Sequence, residues 1–408
     1  MQFLRRFKVF AALAIVLSSM VSANAGPTTS SQVSNPWFLE ATLSATGNPL
    51  QFGFVVSISG NTIVTCAGGQ VYIFVRKGSK WISTTQTAIL SASDGSYLSS
   101  AAISGNTIVA GSGSTNNGVG AAYVFVEPSG GWTASTETAK LTASDAIAGD
   151  FFGSSVAIAG NTIVVGAVQN NSVGARYPEP NGSGAAYVYS KPTGGWANMT
   201  ETAKLTASDG AAGDDFGYSV IVLGDTIAAG APNVALGSTY LAGAVYVFQK
   251  TGTQWVSTTE SGKLTASDAR DVGVLGISMG ISGNTIAAAG FDSVDLFIRP
   301  ASGWTTATQN AELADPNIYF FGLNSVAICN EYVLAGSPYT YNHPIADLYI
   351  EPSTGWANMA PTNRFSVPAG NGNGAYGWSA AINGSTLAIG SPLNAGAGGN
   401  VIYVYGVN

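Results

Sequence analysis

The chain has 408 residues, only 9% of them charged, with 15 basic against 22 acidic side chains and a formal charge of -7. The acidic balance disfavours nucleic acid as a partner, and a charged fraction far below the roughly 25% of ordinary globular domains suits many short strands and turns. A single histidine, His343, and two cysteines exclude most histidine-based triads, multi-histidine metal sites and a disulfide scaffold.

Residues 1–25 read as a secretory signal peptide. Arg5, Arg6 and Lys8 precede an apolar run from Val9 to Val21, and Ala23-Asn24-Ala25 offers an A-x-A cleavage site. The expected location is therefore secreted or extracellular, with periplasm or cell surface as variants. No later apolar run is long enough for a bilayer, so membrane insertion is not expected. Residues 26–36 read as a short linker, and residues 37–408 as one repeat domain.

Seven tryptophans, Trp37, Trp81, Trp132, Trp196, Trp255, Trp304 and Trp356, mark the repeat. Each opens a Thr/Ser-rich run that alternates like a strand, as in WTASTETAKL from Trp132 to Leu141. The polar linker LTASD follows at Leu141 to Asp145, Leu205 to Asp209 and Leu264 to Asp268, with LSASD at Leu90 to Asp94, and reads as a turn. An aromatic-glycine pair opens the next strand at Phe52-Gly53, Phe152-Gly153, Phe216-Gly217, Phe321-Gly322 and Tyr376-Gly377, degraded to Tyr97-Leu98 and Leu275-Gly276. Two apolar segments around Gly-Asn then predict a hairpin with a type II′ turn, as in VAIAGNTIVVG from Val156 to Gly166. A Gly-Ala-Pro-like tripeptide closes it at Gly230-Ala231-Pro232, Gly336-Ser337-Pro338 and Gly390-Ser391-Pro392. A variable loop and a last strand, such as AYVFV from Ala122 to Val126, complete each unit.

Four strands in each of seven units predict an all-β, seven-bladed β-propeller of four-stranded blades. The phase of the repeat predicts how the ring closes. The domain opens on the Trp strand, Trp37 to Leu43, and stops at Val401 to Tyr405, one strand short, so an N-terminal strand completes the last blade. A capped open solenoid is the alternative architecture. Cys66 and Cys329 fall in blades one and six, which are not neighbours; they read as small buried residues without a disulfide.

The aromatic-glycine opening and Gly-Ala-Pro close, as in Phe216-Gly217 to Gly230-Ala231-Pro232, resemble the FG-GAP repeat of integrin alpha heads. The wording is most similar to that of secreted microbial FG-GAP proteins. The resemblance implies the seven-bladed fold and, by analogy with integrins, a ligand on the face of the variable loops. Family members often hold calcium between the first two strands. Here the turns are Ser59-Gly60-Asn61-Thr62 and its copies, too poor in carboxylates for a cage of six to eight oxygens, so no metal or cofactor is expected. Asp225 reads as a turn residue only.

Alternation of loops puts the LTASD linkers and the variable loops on one face, and the Gly-Asn turns and the loops ahead of each tryptophan on the other. Nine of thirteen aspartates then lie in the linkers, including Asp209, Asp214 and Asp215, with Asp292 and Asp295 joining from the variable loop of blade five. Arg76, Lys77, Lys80, Lys191, Lys250 and Arg299 fall on the opposite face, so the disc is expected to be electrically two-sided. The linker aspartates read either as turn caps or as a weak site for a cation or a hydroxyl-rich ligand. Asp209, Asp214 and Asp215 are the densest group. The longest departures from the repeat, Ala167 to Gly184 and Ala231 to Gly243, add Arg176, Tyr177 and Tyr240, and blade six adds Tyr341 and His343. These eight residues are the candidate ligand site. The repeat tryptophans read as blade or inter-blade packing, with Trp378 the exception that could cap the central channel.

Nothing singles out a catalytic acid pair, and no catalytic residue is assigned. The leading expectation is a monomeric, noncatalytic, secreted propeller that binds an extracellular protein or glycan. A carbohydrate-active enzyme using paired carboxylates and a structural envelope or matrix component are the alternatives.

Overall fold

The computed structural model describes residues 36–169, 182–316, 325–338, 344–368, 374–392 and 400–407. Seven antiparallel sheets are arranged as the blades of a propeller. The innermost strands are Val56–Ser59, Ser100–Ser104, Ser155–Ala159, Ser219–Leu223, Ser278–Ser282, Ser325–Cys329 and Ser379–Asn383. Each touches the next, and the last touches the first. Ring closure follows the predicted phase. Trp37–Leu43 forms the outer strand of the seventh blade, antiparallel to Val401–Val407, from Trp37 opposite Val407 to Leu43 opposite Ile402.

Local chemistry explains why the same hairpin recurs. In its two-residue turn Gly60, Gly160 and Gly224 adopt φ of 57°, 55° and 60°, and in blade six Asn330 takes the place at 52°. The partner residue of each turn keeps negative φ, which is the type II′ pattern. The second strand is buried along all or all but the first residue of its length, as in Thr226–Ala231, and the third nearly so, as in Ala185–Ser190.

The two halves of the repeat motif meet across blades. Ser155 Oγ donates to the carbonyl of Gly217 in the next blade at 2.7 Å, and a Cβ added at Gly166 would lie 2.1 Å from that same oxygen. The closing glycine of one blade is thus small because the opening glycine of the next lies against it. The contact recurs at Gly111 with Gly153, Gly230 with Gly276 and Gly336 with Gly377, and it closes the ring at Gly390 with Gly53. The aromatic beside each opening glycine fills the blade interior: Phe152 is fully buried, edge-on to Tyr187 and Tyr189 at 5.4 and 6.2 Å. In blade two the buried residue is Leu98, whereas Tyr97, expected there, is exposed and donates its hydroxyl to Gln51. Phe321-Gly322 lies outside the described residues.

The Trp segments differ from expectation in all blades but the last. The outer strand is only Ala139–Thr142 in blade two and Ala203–Thr206 in blade three, because each repeat tryptophan after Trp37 leaves its own sheet to pack on the preceding blade. Trp132 joins Val64 and Ile73 of blade one, Trp196 joins Val109 and Val124 of blade two, and Trp37 sits edge-on to Tyr332 of blade six at 5.6 Å. Beyond the tryptophan a short segment runs parallel to the preceding outer strand, as Met199–Thr200 does beside Leu141–Thr142. Both cysteines are free; burial pushes the Cys66 thiol up to about 12, whereas Cys329 is only half-buried. Among the described residues no helix is long and apolar enough to cross a membrane.

Candidate functional site at the junction of blades four and five

Backbone hydrogen bonds sort the loops onto two faces. On one, the variable loops touch the linkers: Gln169 N–H donates to Asp150 O, and Asn233 N–H to Asp214 O. On the other, the hairpin turns touch the loops ahead of each tryptophan, as where Lys191 N–H donates to Asn161 O. Asp225 is more than a turn residue there, since Arg299 of blade five grips both its carboxylate oxygens at 2.8 and 2.9 Å.

The repeated residues of the linker face are used up in binding one blade to the next. Asp94 of blade one accepts from Tyr123 Oη at 2.9 Å and Lys140 Nζ at 2.6 Å, both of blade two. Asp145 is held by Tyr187 at 2.9 Å and Lys204 at 2.5 Å, and Asp209 by Tyr246 at 2.8 Å and Lys263 at 2.6 Å. Burial works against ionisation of Asp209, but the Lys263 ammonium and Tyr246 hydroxyl outweigh it and hold the carboxyl below its ordinary value. The serine one residue earlier is clamped too: Glu201 accepts from Ser144 N and Oγ at 2.9 and 2.5 Å, and Glu260 does the same to Ser208. LTASD and TETAK are therefore the two sides of one inter-blade latch. Three lysines on the linker face neutralise aspartates there, which makes the disc less two-sided than the placement of aspartates alone implies.

Strand register explains the recurrence. The latch tyrosine and lysine stand directly opposite each other on the third and fourth strands, as Tyr123 with Lys140, Tyr187 with Lys204 and Tyr246 with Lys263. At the same register blade one has Tyr72 with Ile89, blade six Asp347 with Arg364, and blade seven Tyr403 with Thr42. Blade five pairs Asp295 with Glu312. It alone places like charges at that station, an arrangement that destabilises a sheet.

Around that pair the latch is inverted. Asp268 occupies the usual linker position, but among the described residues its partner is Arg270 and neither a tyrosine nor a lysine. Arg270 from the same linker spans Asp268 and Asp292, at 3.3 and 2.8 Å. Asp295 is not in a loop, as the repeat suggested, but in the strand Ser293–Ile298. It is only 3% exposed, and its Oδ1 has no hydrogen-bond partner among the described residues. The carboxylate leaves open the space a phenol fills elsewhere, a small cleft lined by Asp268, Arg270, Phe291, Asp292 and Asp295. Burial pushes the Asp295 carboxyl up to about 7, reinforced by Glu312, Asp268 and Asp292 and opposed by Arg270. Burial also raises Glu312, with Asp268 adding to it.

The raised carboxyl makes stability depend on pH. Asp295 is protonated in the fold where the unfolded chain is already ionised. Its stabilising share is complete below about pH 4, the unfolded value, and is lost as pH rises through about 7. Asp295→Asn is therefore expected to change melting little near pH 4.5 and to stabilise the protein by on the order of 3 kcal/mol near pH 8. Calorimetry at the two pH values checks this; an equal effect at both would show that the carboxyl does not change charge.

Of the residues singled out in the sequence, Asp209 is latched as above. Asp214 accepts from Ala211 N–H at 2.7 Å, and burial raises its carboxyl. Asp215 is buried at φ 56° and accepts from Asn233 Nδ2 at 2.9 Å. Tyr240 is 65% exposed, and its N–H donates to Asp271 Oδ1 at 2.7 Å. Its loop continues into Ala242, which lines the Asp295 cleft. Arg176, Tyr177, Tyr341 and His343 lie outside the described residues. Glu312 went unremarked in the sequence, although comparing AELA with the AKLT of other blades exposes the exchange of lysine for glutamate. Trp378 is half-buried against Phe54, with centroids 4.5 Å apart. Among the described residues no three His, Cys, Asp or Glu side chains are grouped to hold a metal ion.

The FG-GAP repeat family profile matches residues 135–189 and 199–248. No curated protein matches the sequence. Among solved structures, the chain is similar to the WD40 β-propeller domain of Doa1, with 9% identity and a TM-score of 0.53 across 90% of this chain and 96% of that one. At that identity the likeness concerns the fold alone.

Proposed function

We propose, since this chain is an FG-GAP repeat β-propeller protein, that it is a secreted, noncatalytic binding module whose ligand is an extracellular protein or glycan held on the face of the linkers and variable loops. The observation that carries this reading is the cleft at the junction of blades four and five. At the three junctions before it the linker aspartates Asp94, Asp145 and Asp209 are satisfied by the tyrosine and lysine of the neighbouring blade. Here Asp295 Oδ1 is buried with no hydrogen-bond partner among the described residues, an arrangement that costs stability. The exposed ring of Tyr240 stands on the loop that walls the same cleft and suits an interface, where one aromatic edge meets water and the other a ligand.

A screen of extracellular proteins and glycans against the purified protein tests the reading. Saturable capture is expected, weakened about five-fold or more by Tyr240→Ala. Capture of nothing, or capture indifferent to Tyr240→Ala, would count against a ligand on this face.

A further inference from the structure

We infer that the Asp295 cleft is a receptor for a primary ammonium group, the lysine side chain of a partner or a free amine, which takes the place that latch lysines occupy at three sister junctions. This rests on the binding reading above and names the chemistry of the ligand.

The sister junctions display the occupied form of the same site. Lys140, Lys204 and Lys263 each bring an ammonium to the linker aspartate of the preceding blade, over the face of a tyrosine at 5.4, 5.3 and 5.1 Å. At the fourth junction the linker aspartate persists as Asp268, but the lysine is Glu312 and the tyrosine is Asp295. The cation is gone, and two acids stand where it and its aromatic neighbour would be. Arg270 offsets only part of this charge, because its guanidinium is engaged by Asp292 and Asp268. Asp295 lines the cleft, and its Oδ1 is buried with no hydrogen-bond partner among the described residues.

The kind of cation follows from the acceptors. A calcium ion needs six to eight oxygens, and the described carboxylates do not group into such a cage. A second guanidinium is best matched by a carboxylate free to take it in a fork, and here the exposed fork, Asp292, already holds Arg270 at 2.8 and 3.0 Å. A neutral hydroxyl satisfies a hydrogen bond but leaves the buried charge uncompensated. An ammonium is a compact charge with three donors, and it is the group the same backbone framework accommodates three times over. Phe291 also lines the cleft and brings to it an aromatic side chain, a kind of group that attracts cations.

The test is a titration near pH 8, followed by chemical-shift changes, with N-acetyl-lysine amide, cadaverine, N-acetyl-norleucine amide and calcium as probes. Saturable binding of N-acetyl-lysine amide is expected, reduced about ten-fold or more by Asp295→Asn and by Glu312→Gln, with no binding of the norleucine amide. Glu312→Lys, which supplies the ammonium within the chain, is expected to abolish it. Cadaverine binding as tightly as the lysine amide identifies a free amine as the natural ligand; weaker binding identifies a side chain of a partner. Absence of saturable amine binding, binding undiminished in Asp295→Asn, or a preference for calcium would overturn the assignment. A protein or glycan captured equally by the native protein and Asp295→Asn would also overturn it while leaving the binding reading standing. Lysine-amide binding without any macromolecular capture would uphold it and remove the wider reading.

Discussion

Replacing Gly390 with alanine is expected to destabilise the protein by about 3 kcal/mol or more, at the top of the range for overpacking a core. A Cβ at this position would lie 2.1 Å from Gly53 O and 2.3 Å from Ser379 Oγ. Ser379 Oγ donates to that same Gly53 oxygen at 2.7 Å, so the substitution attacks the bond between blades seven and one as well as the space beside it. Backbone, not a flexible side chain, is in the way. Relief therefore requires the two blades to separate. Gly384→Ala provides the contrast: it has φ 54° and nothing within 4 Å, so only the left-handed backbone is penalised, by about 1–2 kcal/mol. Chemical denaturation of both variants separates the effects. Equal losses would mean that the glycine is retained for its backbone freedom and not for the approach of two blades.

Removing Trp37–Leu43 is expected to have a larger effect, because this strand holds the ring closed. It pairs with Val401–Val407 over its length, and its three buried residues serve two different interfaces. Trp37 packs with Leu334 and Leu348 of blade six, while Ala41 and Leu43 pack with Ile63 and Phe74 of blade one. Truncating Trp37 to alanine is expected to cost about 3–5 kcal/mol. Losing the whole strand also strips the ladder from one edge of blade seven and approaches the total stability of an ordinary domain, about 5–15 kcal/mol. The deleted protein is expected to melt far lower, with proteolysis beginning in the last blade. Unchanged melting would refute ring closure by this strand.

The features legible in the sequence are those set by neighbours along the chain. The Gly-Asn turn fixes the hairpin through one positive φ, whether glycine or Asn330 supplies it, and the starting phase at Trp37 was enough to foresee closure by Val401–Val407. The features that stayed hidden depend on contacts between units. The run after each tryptophan alternates like a strand, yet Trp132 and Trp196 leave their sheets because the preceding blade offers them apolar cover. The LTASD aspartates read as turn caps or as a weak ligand site, since nothing local shows that Tyr187 and Lys204 reach back to Asp145 across the junction. Asp295 reads as a loop residue because blade five lacks the Gly-Ala-Pro-like close that marks the end of the second strand in blades four, six and seven. Only when its register opposite Glu312 is known do the two exchanges, tyrosine for aspartate and lysine for glutamate, become one event at one site.

The most direct test of this account restores the latch. In the double variant Asp295→Tyr with Glu312→Lys, a phenol and an ammonium would stand where Tyr246 and Lys263 stand one junction earlier, within reach of Asp268. Thermal melting near pH 8 is the measurement. If the cleft is a latch emptied of its cation, the double variant melts higher than the native protein by about 3 °C, as expected when on the order of 2 kcal/mol is gained in a chain of this size. Melting at or below the native temperature would contradict it, and would mean that the acids at this junction are accommodated by the fold and await no cation.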